Sequence, residues 1–446
     1  MISAGSSGPT RVADVRRSGE MAERLAGLVP GGNHTYAKGA DQYPSNAPGV
    51  IARGAGSHVW DADGNQYLEY GMGLRAVTLG HAYPAVIEAV GAALAHGTNF
   101  TRPSALELEC AEAFLGVITG ADMVKFTKDG STANTAALRL ARAYTGREMV
   151  AICADHPFYS YDDWYIATTT MDGGIPNGVR SQTVQFSYND LASVRALFDA
   201  HPDRIAAVFL EPSRMEEPAP GFLEELKTLC HERGAVLVFD EMITGFRWNI
   251  GGAQREYGVT PDLSTFGKAL ANGFSLSALC GKRELMRLGS RERSVDNVFL
   301  LSTTHGAEST ALAAAIRTIE IYRSEPVVAH LHRQGDRLAR SVRDAARARG
   351  LSRAFDVAGR ACNLIYITRG PDGRPSQPYR TLFMQELVRR GILAPSFIVS
   401  YSHSDDDIDR TIEAVDGALA VYAEALANGT ESYLEGPPTR VVFDHR

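Results

Sequence analysis

The chain has 446 residues, 44% hydrophobic and 22% charged, so it can bury a large core and has the composition of a soluble globular protein. Its net charge of −7 predicts no nucleic-acid partner and no membrane partner, because such partners favour a basic surface. No bilayer-spanning run, signal-peptide pattern, C-x-x-C pair or close histidine cluster is evident, which favours a cytoplasmic protein with free thiols and no bound metal.

The N-terminal residues predict an arm, one helix and a hairpin. Residues 1–18 have the composition of a loosely held arm, and Glu20–Leu28 predicts a short helix that a Pro-Gly-Gly sequence ends. The segments Ser57–Asp61 and Gln66–Tyr70 flank an Asp-Gly pair, which is typical of a hairpin with a type I′ turn.

From about residue 80 to 300, helical patterns alternate with short apolar strands. Strands are predicted at 123–126, 149–153, 205–210, 235–239, 263–266 and 277–280, with helices at 84–96, 132–144 and 221–233. Continuous apolar strands between helices predict a mostly parallel sheet that is covered by helices on both faces.

The C-terminal part has a different character. After a long predicted helix at 309–323, residues 330–425 predict helices mixed with a few strands. We therefore expect an α/β architecture with a smaller α+β domain. Residues 1–75 would form an arm and part of that small domain, 76–325 the large domain, and 326–446 the rest of the small domain.

Polar residues follow the predicted strands where each strand ends. They comprise Asp129-Gly130-Ser131-Thr132, Asp155 to Tyr159, Glu211-Pro212, Asp240-Glu241 and Gly267-Lys268. Because ligands of open parallel sheets bind beyond the carboxyl ends of the strands, we expect one site to collect these side chains.

The Gly130-Ser131-Thr132 turn opens a predicted helix. Its exposed N–H groups, the helix dipole and two hydroxyls would hold a phosphate dianion. The alternative is an ordinary helix cap made by Ser131 or Thr132, and taken alone this alternative is the commoner one.

Lys268 and Asp240 suggest Schiff-base chemistry on a pyridine cofactor. Lys268 is one of only six lysines, and both residues end apolar strands. The amine would form the Schiff base and move a proton, while the carboxylate would keep the pyridine nitrogen protonated. Glu211 would bond the ring hydroxyl or orient a neighbour. The alternatives are a surface lysine, a loop-capping aspartate and a surface glutamate.

Several motifs resemble those of class III pyridoxal-phosphate (PLP) aminotransferases of fold type I, in particular the glutamate-1-semialdehyde aminomutase subgroup. They are Trp60-Asp-Ala-Asp-Gly64, Leu79-Gly-His81, the Gly-Ser-Thr turn, Phe239-Asp-Glu-Met-Ile-Thr-Gly-Phe-Arg247, Pro261-Asp-Leu-Ser-Thr-Phe-Gly-Lys268 and Ala394-Pro-Ser396. The resemblance covers roughly residues 20–425. It implies the PLP-dependent transferase fold, with Lys268 linked to the cofactor and Asp240 at its ring nitrogen.

The resemblance also implies how the rest of the cofactor is held. Gly130, Ser131 and Thr132 would bind the phosphate. Family members are homodimers with shared active sites, and a threonine of the partner subunit completes the phosphate site. Thr303 matches that threonine best, and Thr304 comes next.

The departures from the family concern the ring-stacking residue and the substrate. Relatives stack an aromatic side chain on the cofactor ring; here His156 takes that place, with Phe158 or Tyr159 as alternatives, and Tyr159 is also a candidate substrate contact. Lys38 stands where the aminomutases bind the substrate carboxylate with arginine, which loses the bidentate fork.

Two further departures lie elsewhere in the chain. The glutamate that the aminomutases carry after Ala-Pro-Ser is missing from the segment that follows Ser396. Gly71–Arg75 replaces a segment that normally carries tryptophan, so Arg75 becomes a candidate substrate-contacting cation, with a structural arginine as the equal alternative.

These observations predict an aminotransferase that moves an amino group from a small amino-acid donor, such as glutamate, to a carbonyl acceptor. The departures favour a specialised acceptor, such as a sugar-, cyclitol- or polyketide-derived ketone or aldehyde. The enzyme alternatives are a glutamate-1-semialdehyde aminomutase and an epimerase or racemase. A non-catalytic regulator is disfavoured because Lys268 and Asp240 are both present.

Overall fold

A computed structural model describes residues 14–292 and 298–442. They fall into two compact units, one of residues 14–83 and 329–442, the other of residues 84–292 and 298–328. The division into domains at 75/76 and 325/326 stays a prediction, and the compact units change at 83/84 and 328/329. The five cysteines are buried free thiols. Across the described ranges, no helix combines the length and apolarity needed to cross a bilayer.

The strands are numbered in chain order. They are β1 (Ile51–Ala55), β2 (His58–Asp61), β3 (Gln66–Glu69), β4 (Met123–Thr127), β5 (Met149–Cys153), β6 (Thr183–Phe186), β7 (Ile205–Leu210), β8 (Val236–Asp240), β9 (Leu263–Phe266), β10 (Ser277–Gly281), β11 (Phe355–Ala358), β12 (Ile365–Thr368) and β13 (Ile392–Leu393). All six strands predicted between residues 123 and 280 are present, while β6 was not predicted.

The helices are numbered in the same way. They are α1 (Arg16–Ala26), α2 (Met72–Arg75), α3 (Pro84–Leu94), α4 (Ala105–Leu115), α5 (Gly130–Thr145), α6 (Asp163–Ile166), α7 (Asn177–Arg180), α8 (Leu191–Ala200), α9 (Phe222–Glu232), α10 (Gly252–Glu256), α11 (Arg283–Met286), α12 (Ser309–Ser324), α13 (Val327–Ala348), α14 (Gln377–Arg389) and α15 (Asp405–Asn428).

The second unit is built on a seven-stranded sheet of order β4-β10-β9-β8-β7-β5-β6. The pairs among β6, β5, β7, β8 and β9 are parallel, and only β10 runs against its two neighbours, β9 and β4. The predicted α/β fold with a mostly parallel central sheet is therefore confirmed. All of these strands except β10 run in one direction, so their carboxyl ends share one edge of the sheet.

The central strands are buried on both faces, which explains their unbroken apolar sequences. In β5, Val150 and Ile152 belong to the core that contains α5, whereas Ala151 and Cys153 belong to the opposite core beneath α8 and α9. Successive residues of a strand point to opposite faces, so both sets must be apolar when both faces are covered. The helix that follows β4, α5, ends at Gly146, which has the left-handed backbone conformation (φ +67°).

The first unit contains a four-stranded sheet of order β1-β2-β3-β13 and the two-stranded sheet β11-β12. The predicted hairpin is present as β2 and β3, but the type I′ turn is wrong, because only Gly64 of the Asp63-Gly64 pair has a positive φ. The side chain of Asp61 instead accepts the N–H groups of Asp63 and Asn65 at 3.0 and 2.8 Å and holds a longer loop.

The single turn of α2 in the first unit is left-handed. Its residues Met72, Gly73, Leu74 and Arg75 have φ values of +43°, +57°, +57° and +72°. This conformation costs a non-glycine residue roughly 1–2 kcal/mol, so the three non-glycine residues of this turn need support from the surrounding structure. Part of it comes from Glu69, whose Oε2 accepts the N–H of Met72 at 2.8 Å.

Candidate active site

The carboxyl edge of the seven-stranded sheet carries the side chains that the sequence singled out. Asp240 ends β8, Glu211 follows β7, and Lys268 follows β9 after one glycine. Because β7, β8 and β9 are parallel neighbours, these three residues leave the sheet on the same side.

Asp240 is the buried centre of this edge. Its side chain is 3% exposed, and its Oδ1 accepts the backbone N–H of Met242 at 2.9 Å. Burial, and next the negative charge of Glu211, raise the pKa of Asp240 to about 6, while the positive charge of Lys268 acts in the opposite direction. The three charged groups therefore interact, and Asp240 is suited to pair with a further positive charge.

Asn134 fixes the orientation of Asp240, and the sequence did not reveal this role. Its Nδ2 donates to Oδ2 of Asp240 at 2.8 Å and to the carbonyl of Tyr159 at 2.7 Å. Its Oδ1 accepts from the hydroxyl of Thr265 at 2.7 Å, and this bond fixes which end of the amide faces Asp240. The available signal was a lone carboxamide on the mostly apolar buried face of α5.

Lys268 has a left-handed backbone (φ +43°) at the start of a short 3-10 helix, Lys268–Ala271. Positive φ in a non-glycine residue stores strain, and such residues cluster at functional sites. The preceding Gly267 is closely packed, since a Cβ there would lie 2.5 Å from Oγ of Ser277 and 2.6 Å from Sδ of Met242. The lysine is thus presented by a locally constrained backbone.

His156 is a buried neutral imidazole beside Glu211. Its Nδ1 accepts the backbone N–H of Glu211 and lies 3.0 Å from the hydroxyl of Tyr159. Burial lowers the pKa of His156 to about 4. Because the Glu211 amide can only donate, Nδ1 carries no proton, and the proton of the neutral ring is on Nε2.

The three candidates for the ring-stacking residue have different surroundings. Phe158 is 41% exposed and meets the ring of Tyr165 edge-on at 5.7 Å. Tyr159 is 1% exposed and belongs to the core around α5. Its burial does not favour the predicted substrate contact, and its hydroxyl instead braces His156. Stacking by His156 stays a prediction.

Glu211 offers an acceptor that suits a cofactor hydroxyl. Its Oε1 accepts from Nη1 of Arg214 at 3.3 Å, while its Oε2 is buried without a hydrogen-bond partner among the described residues. A buried acceptor without a donor costs free energy, and a ligand hydroxyl would remove that cost. This orphaned atom, with Asp240 and Lys268, fits the donor and acceptor set of the expected cofactor.

The helix that starts at the predicted phosphate turn is not capped by either of the two expected residues. The cap of α5 is Asp129, not Ser131 or Thr132, and its Oδ1 accepts the N–H of Thr132 at 2.8 Å. Thr132 also donates its hydroxyl to Asp129 at 2.9 Å, so both of its donors are occupied. Ser131 accepts the N–H of Tyr161 at Oγ, which leaves its hydroxyl hydrogen for a phosphate. The structure therefore favours Ser131 over Thr132 as the phosphate donor.

Gly130 brings the phosphate turn close to the loop after β8. A Cβ at Gly130 would lie 2.9 Å from Sδ of Met242, the same atom that packs against Gly267. Met242 thus packs against the glycines that precede Ser131 and Lys268. A side chain at either glycine would force Met242 to move.

Thr303, Thr304, Lys38 and Arg75 are the remaining predicted site residues. Thr303 and Thr304 are exposed and precede α12, and the carbonyl of Thr304 accepts from Nδ2 of Asn99 at 3.1 Å. In the first unit, Lys38 is exposed at the end of a 3-10 helix. Arg75 is half-buried and donates from Nε to Oδ1 of Asn363 at 2.8 Å.

Comparisons with known proteins identify the family. The family model of class-III aminotransferases matches residues 39–360. The chain is 34% identical over 434 residues to a protein of Syntrophobacter fumaroxidans named glutamate-1-semialdehyde 2,1-aminomutase, with 92% of this chain and 99% of that protein covered.

Solved structures give the same result. The FumI protein of Sphingopyxis sp. MTA144, in its PLP internal aldimine form, is 27% identical with a TM-score of 0.85, covering 96% of this chain and 100% of that one. An omega-transaminase from Sphaerobacter thermophilus is 26% identical with a TM-score of 0.81, covering 92% and 100%. The chain belongs to the class III aminotransferase family and is a pyridoxal-phosphate-dependent enzyme.

Proposed function

We propose that this enzyme transfers an amino group from an amino-acid donor, such as glutamate, to a carbonyl acceptor of specialised metabolism, and that it works as a cytoplasmic homodimer. The observation that carries this proposal is the buried Asp240. Asn134 orients its carboxylate, and the positive charge of Lys268 acts to lower its pKa. The acceptor class follows from the departures at the predicted substrate positions.

Three side chains would hold the cofactor in this proposal. Pyridoxal phosphate, when bound, supplies a protonated pyridine ring that withdraws electrons from the carbon where the amino group is exchanged. Asp240 accepts the ring N–H and keeps the proton there. Glu211 accepts the ring hydroxyl at its buried Oε2, and Ser131 donates its hydroxyl to the phosphate.

Lys268 would act through its Nζ as the cofactor-linked amine and then as the proton carrier. It takes the proton from the Cα of the donor and returns it on the way to the product. Its constrained backbone limits where the amine can lie, which suits a group that must serve two carbon atoms in turn.

The phosphate site would be completed across a dimer. Thr303 and Thr304 are exposed in the single chain, and by sequence Thr303 best matches the threonine that family members supply to the neighbouring active site, with Thr304 next. In the proposed homodimer, the partner's Thr303 donates to the phosphate beside Ser131. Thr132 contributes less, because Asp129 already accepts its N–H and hydroxyl.

A second candidate is a glutamate-1-semialdehyde aminomutase, which the Syntrophobacter fumaroxidans relative favours. Lys38 in place of arginine and the missing glutamate after Ser396 argue against that substrate. Turnover of glutamate-1-semialdehyde, with no transamination of any other acceptor, would decide for the aminomutase.

A half-reaction separates transfer from an epimerase or racemase. We expect incubation of the holoenzyme with its donor alone to release the matching keto acid and to leave the amino form of the cofactor. An epimerase would instead invert the amino acid and release no keto acid.

Visible absorbance tests the cofactor site itself. We expect the purified protein with pyridoxal phosphate to show the band of the lysine-linked cofactor, and Lys268→Ala to lose it together with at least about 10³-fold of the turnover rate. Lys227→Ala, a lysine of α9, is the matched control and should keep both. A band that survives Lys268→Ala would contradict the assignment.

A further inference from the structure

Arg214 forms an ion pair with Glu211 at the carboxyl edge of the seven-stranded sheet. Its Nη1 lies 3.3 Å from Oε1 of Glu211, the residue that directly follows β7. The side chains of Arg214 and Glu211 are 18% and 4% exposed, so the pair is largely shielded from water. An ion pair in such surroundings is favourable only when the remaining donors and acceptors of both partners are also satisfied.

Each partner of this pair keeps one buried polar atom without a hydrogen bond. Among residues 14–292 and 298–442, Oε2 of Glu211 has no donor and Nε of Arg214 has no acceptor. A buried group of this kind is rare in folded proteins, and leaving it unpaired costs free energy. The pair therefore offers one free acceptor and one free donor, which together match a group that can donate and accept at once.

The charges of the pair act on residues of the candidate active site. Burial is the main cause of the lowered pKa of His156; beyond it, the negative charge of Glu211 raises this pKa and the positive charge of Arg214 lowers it. The charge of Glu211 is also the second cause, after burial, of the raised pKa of Asp240. The pair is therefore close enough to act electrostatically on this imidazole, and its carboxylate on Asp240.

The loop that carries Arg214 is held in place by hydrogen bonds. The backbone N–H of Arg214 donates to the carbonyl of Glu216 at 3.4 Å, and the hydroxyl of Ser213 donates to the same carbonyl at 3.3 Å. The hydroxyl of Tyr188 donates to the carbonyl of Pro212 at 2.7 Å, which ties the loop to the segment after β6. The guanidinium therefore extends from a fixed backbone.

We propose that Arg214 is a cofactor-binding residue, whose Nε donates to the oxygen of the cofactor's ring hydroxyl while Oε2 of Glu211 accepts the hydroxyl hydrogen. This inference rests on the proposed function, in which Glu211 accepts that hydroxyl. A hydroxyl has one hydrogen and two lone pairs, so it satisfies both orphaned atoms of the pair. Because a guanidinium is permanently charged, its bond to the oxygen is charge-assisted and stronger than a bond between neutral groups.

Pyridoxamine phosphate, the amino form of the cofactor, tests this contact because it binds without a covalent link. Its affinity is compared with that of an analogue in which hydrogen replaces the ring hydroxyl, by fluorescence titration of the cofactor-free protein. We call the ratio of the two dissociation constants the hydroxyl preference. We expect the natural protein to bind the analogue about 10- to 100-fold more weakly, the range that hydrogen bonds to charged groups give.

Variants of the pair should reduce the hydroxyl preference. Arg214→Met removes every donor and the charge at similar length, and Glu211→Leu removes the acceptor, so each should reduce the preference about 5- to 10-fold. Arg214→Lys keeps a charge for Glu211 but has a single nitrogen, so it should lose most of what Arg214→Met loses while staying folded. Arg147→Met is the matched control, since Arg147 is 16% exposed and paired with Asp203 at 3.0 Å, and it should keep the full preference.

The outcomes separate this inference from the proposed function. An unchanged hydroxyl preference in folded Arg214→Met or in Arg214→Lys would overturn the inference, and a loss confined to Glu211→Leu would leave the role of Glu211 intact. Equal affinity of the natural protein for both ligands would contradict the role of Glu211 in the proposed function, and the inference would fail with it. A loss in Arg147→Met as large as in Arg214→Met would show that the change follows from lost stability and would also overturn the inference.

Discussion

The carboxyl edge of the seven-stranded sheet and the left-handed turn α2 hold their polar side chains in different ways. At the edge, regular parallel strands deliver Asp240 and Lys268 to one place, and Asn134 on a neighbouring helix orients the carboxylate. In the turn, hydrogen bonds to Glu69 and to the neighbouring backbone support a conformation that L-amino acids disfavour. The comparison teaches that the proposed cofactor site depends on the fold's regular elements, whereas Arg75, a candidate substrate contact, lies on a strained one.

Removing the carboxylate of Asp240 tests the role of the carboxyl edge in catalysis and should have the largest effect on the enzyme. We expect Asp240→Ala to lower kcat about 10²- to 10³-fold, because the ring nitrogen loses the charge that keeps it protonated. Steady-state kinetics at saturating cofactor measures the loss. Glu241→Gln is a useful comparison, since Glu241 is equally buried but accepts backbone N–H groups of Ala253 and Gln254. Glu241→Gln should lower the free energy of unfolding and should change kcat less than Asp240→Ala does. A larger loss of kcat in Glu241→Gln than in Asp240→Ala would argue against the role of Asp240.

Acid should weaken cofactor binding through Asp240 in a defined window. The pKa of this carboxyl, raised to about 6 in the cofactor-free protein, means that it is charged above that pH and neutral below it. The advantage of the natural protein over Asp240→Asn in affinity for pyridoxal phosphate should therefore be full at pH 7 to 8 and shrink as the pH falls through 6. Fluorescence titration at several pH values checks it, and a constant ratio of affinities would refute it.

Asn134 tests whether the orientation of Asp240 matters as well as its presence. Asn134→Ala leaves buried groups of Asp240 and Thr265 without partners, so we expect the free energy of unfolding to fall by about 1–3 kcal/mol and kcat by about 10-fold. Thr265→Val removes only the hydroxyl that sets the amide and should have a smaller effect on both. Equal losses in the two variants would show that Asn134 acts through packing alone.

Much of this edge was predictable because local patterns determine it. The apolar runs of β5, β7 and β8, and the motifs around Asp240 and Lys268, predicted the strands and the position of these two residues at strand ends. Strand β6 was not predicted, since its alternating Thr-Val-Gln-Phe sequence at the edge of the sheet lacks the continuous apolar character of the central strands.

Three features were not predictable, and the contacts behind them are partly distant and partly local in sequence. Asn134 meets Asp240 and Thr265, more than 100 residues away, only after the sheet has formed. The cap of α5 is Asp129, although Ser131 and Thr132 are equally acceptable cap residues by type. No sequence signal indicated the left-handed turn, because its conformation depends on Glu69 and on the backbone pairing around it.

A pair of glycine substitutions tests the left-handed conformation of the turn α2. The expected change, in the free energy of unfolding, is the smallest of those predicted. Gly73→Ala places a Cβ at φ +57° and 3.0 Å from Val77, so the free energy of unfolding should fall by about 1–2 kcal/mol. Gly91→Ala, in α3 with no atom near the new Cβ, should raise it by about 0.5–1 kcal/mol. Chemical denaturation of both variants measures the contrast, and a neutral or stabilising Gly73→Ala would exclude the left-handed turn.

The most direct test of the account is to identify the lysine that is linked to the cofactor. Borohydride reduction of the holoenzyme makes that link permanent, and peptide mass spectrometry then locates the modified residue among the six lysines. We predict modification at Lys268 alone, at one cofactor per chain, and its loss in Lys268→Ala. Stoichiometric modification at any of the other five lysines, with Lys268 unmodified, would contradict the assignment of this edge as the active site.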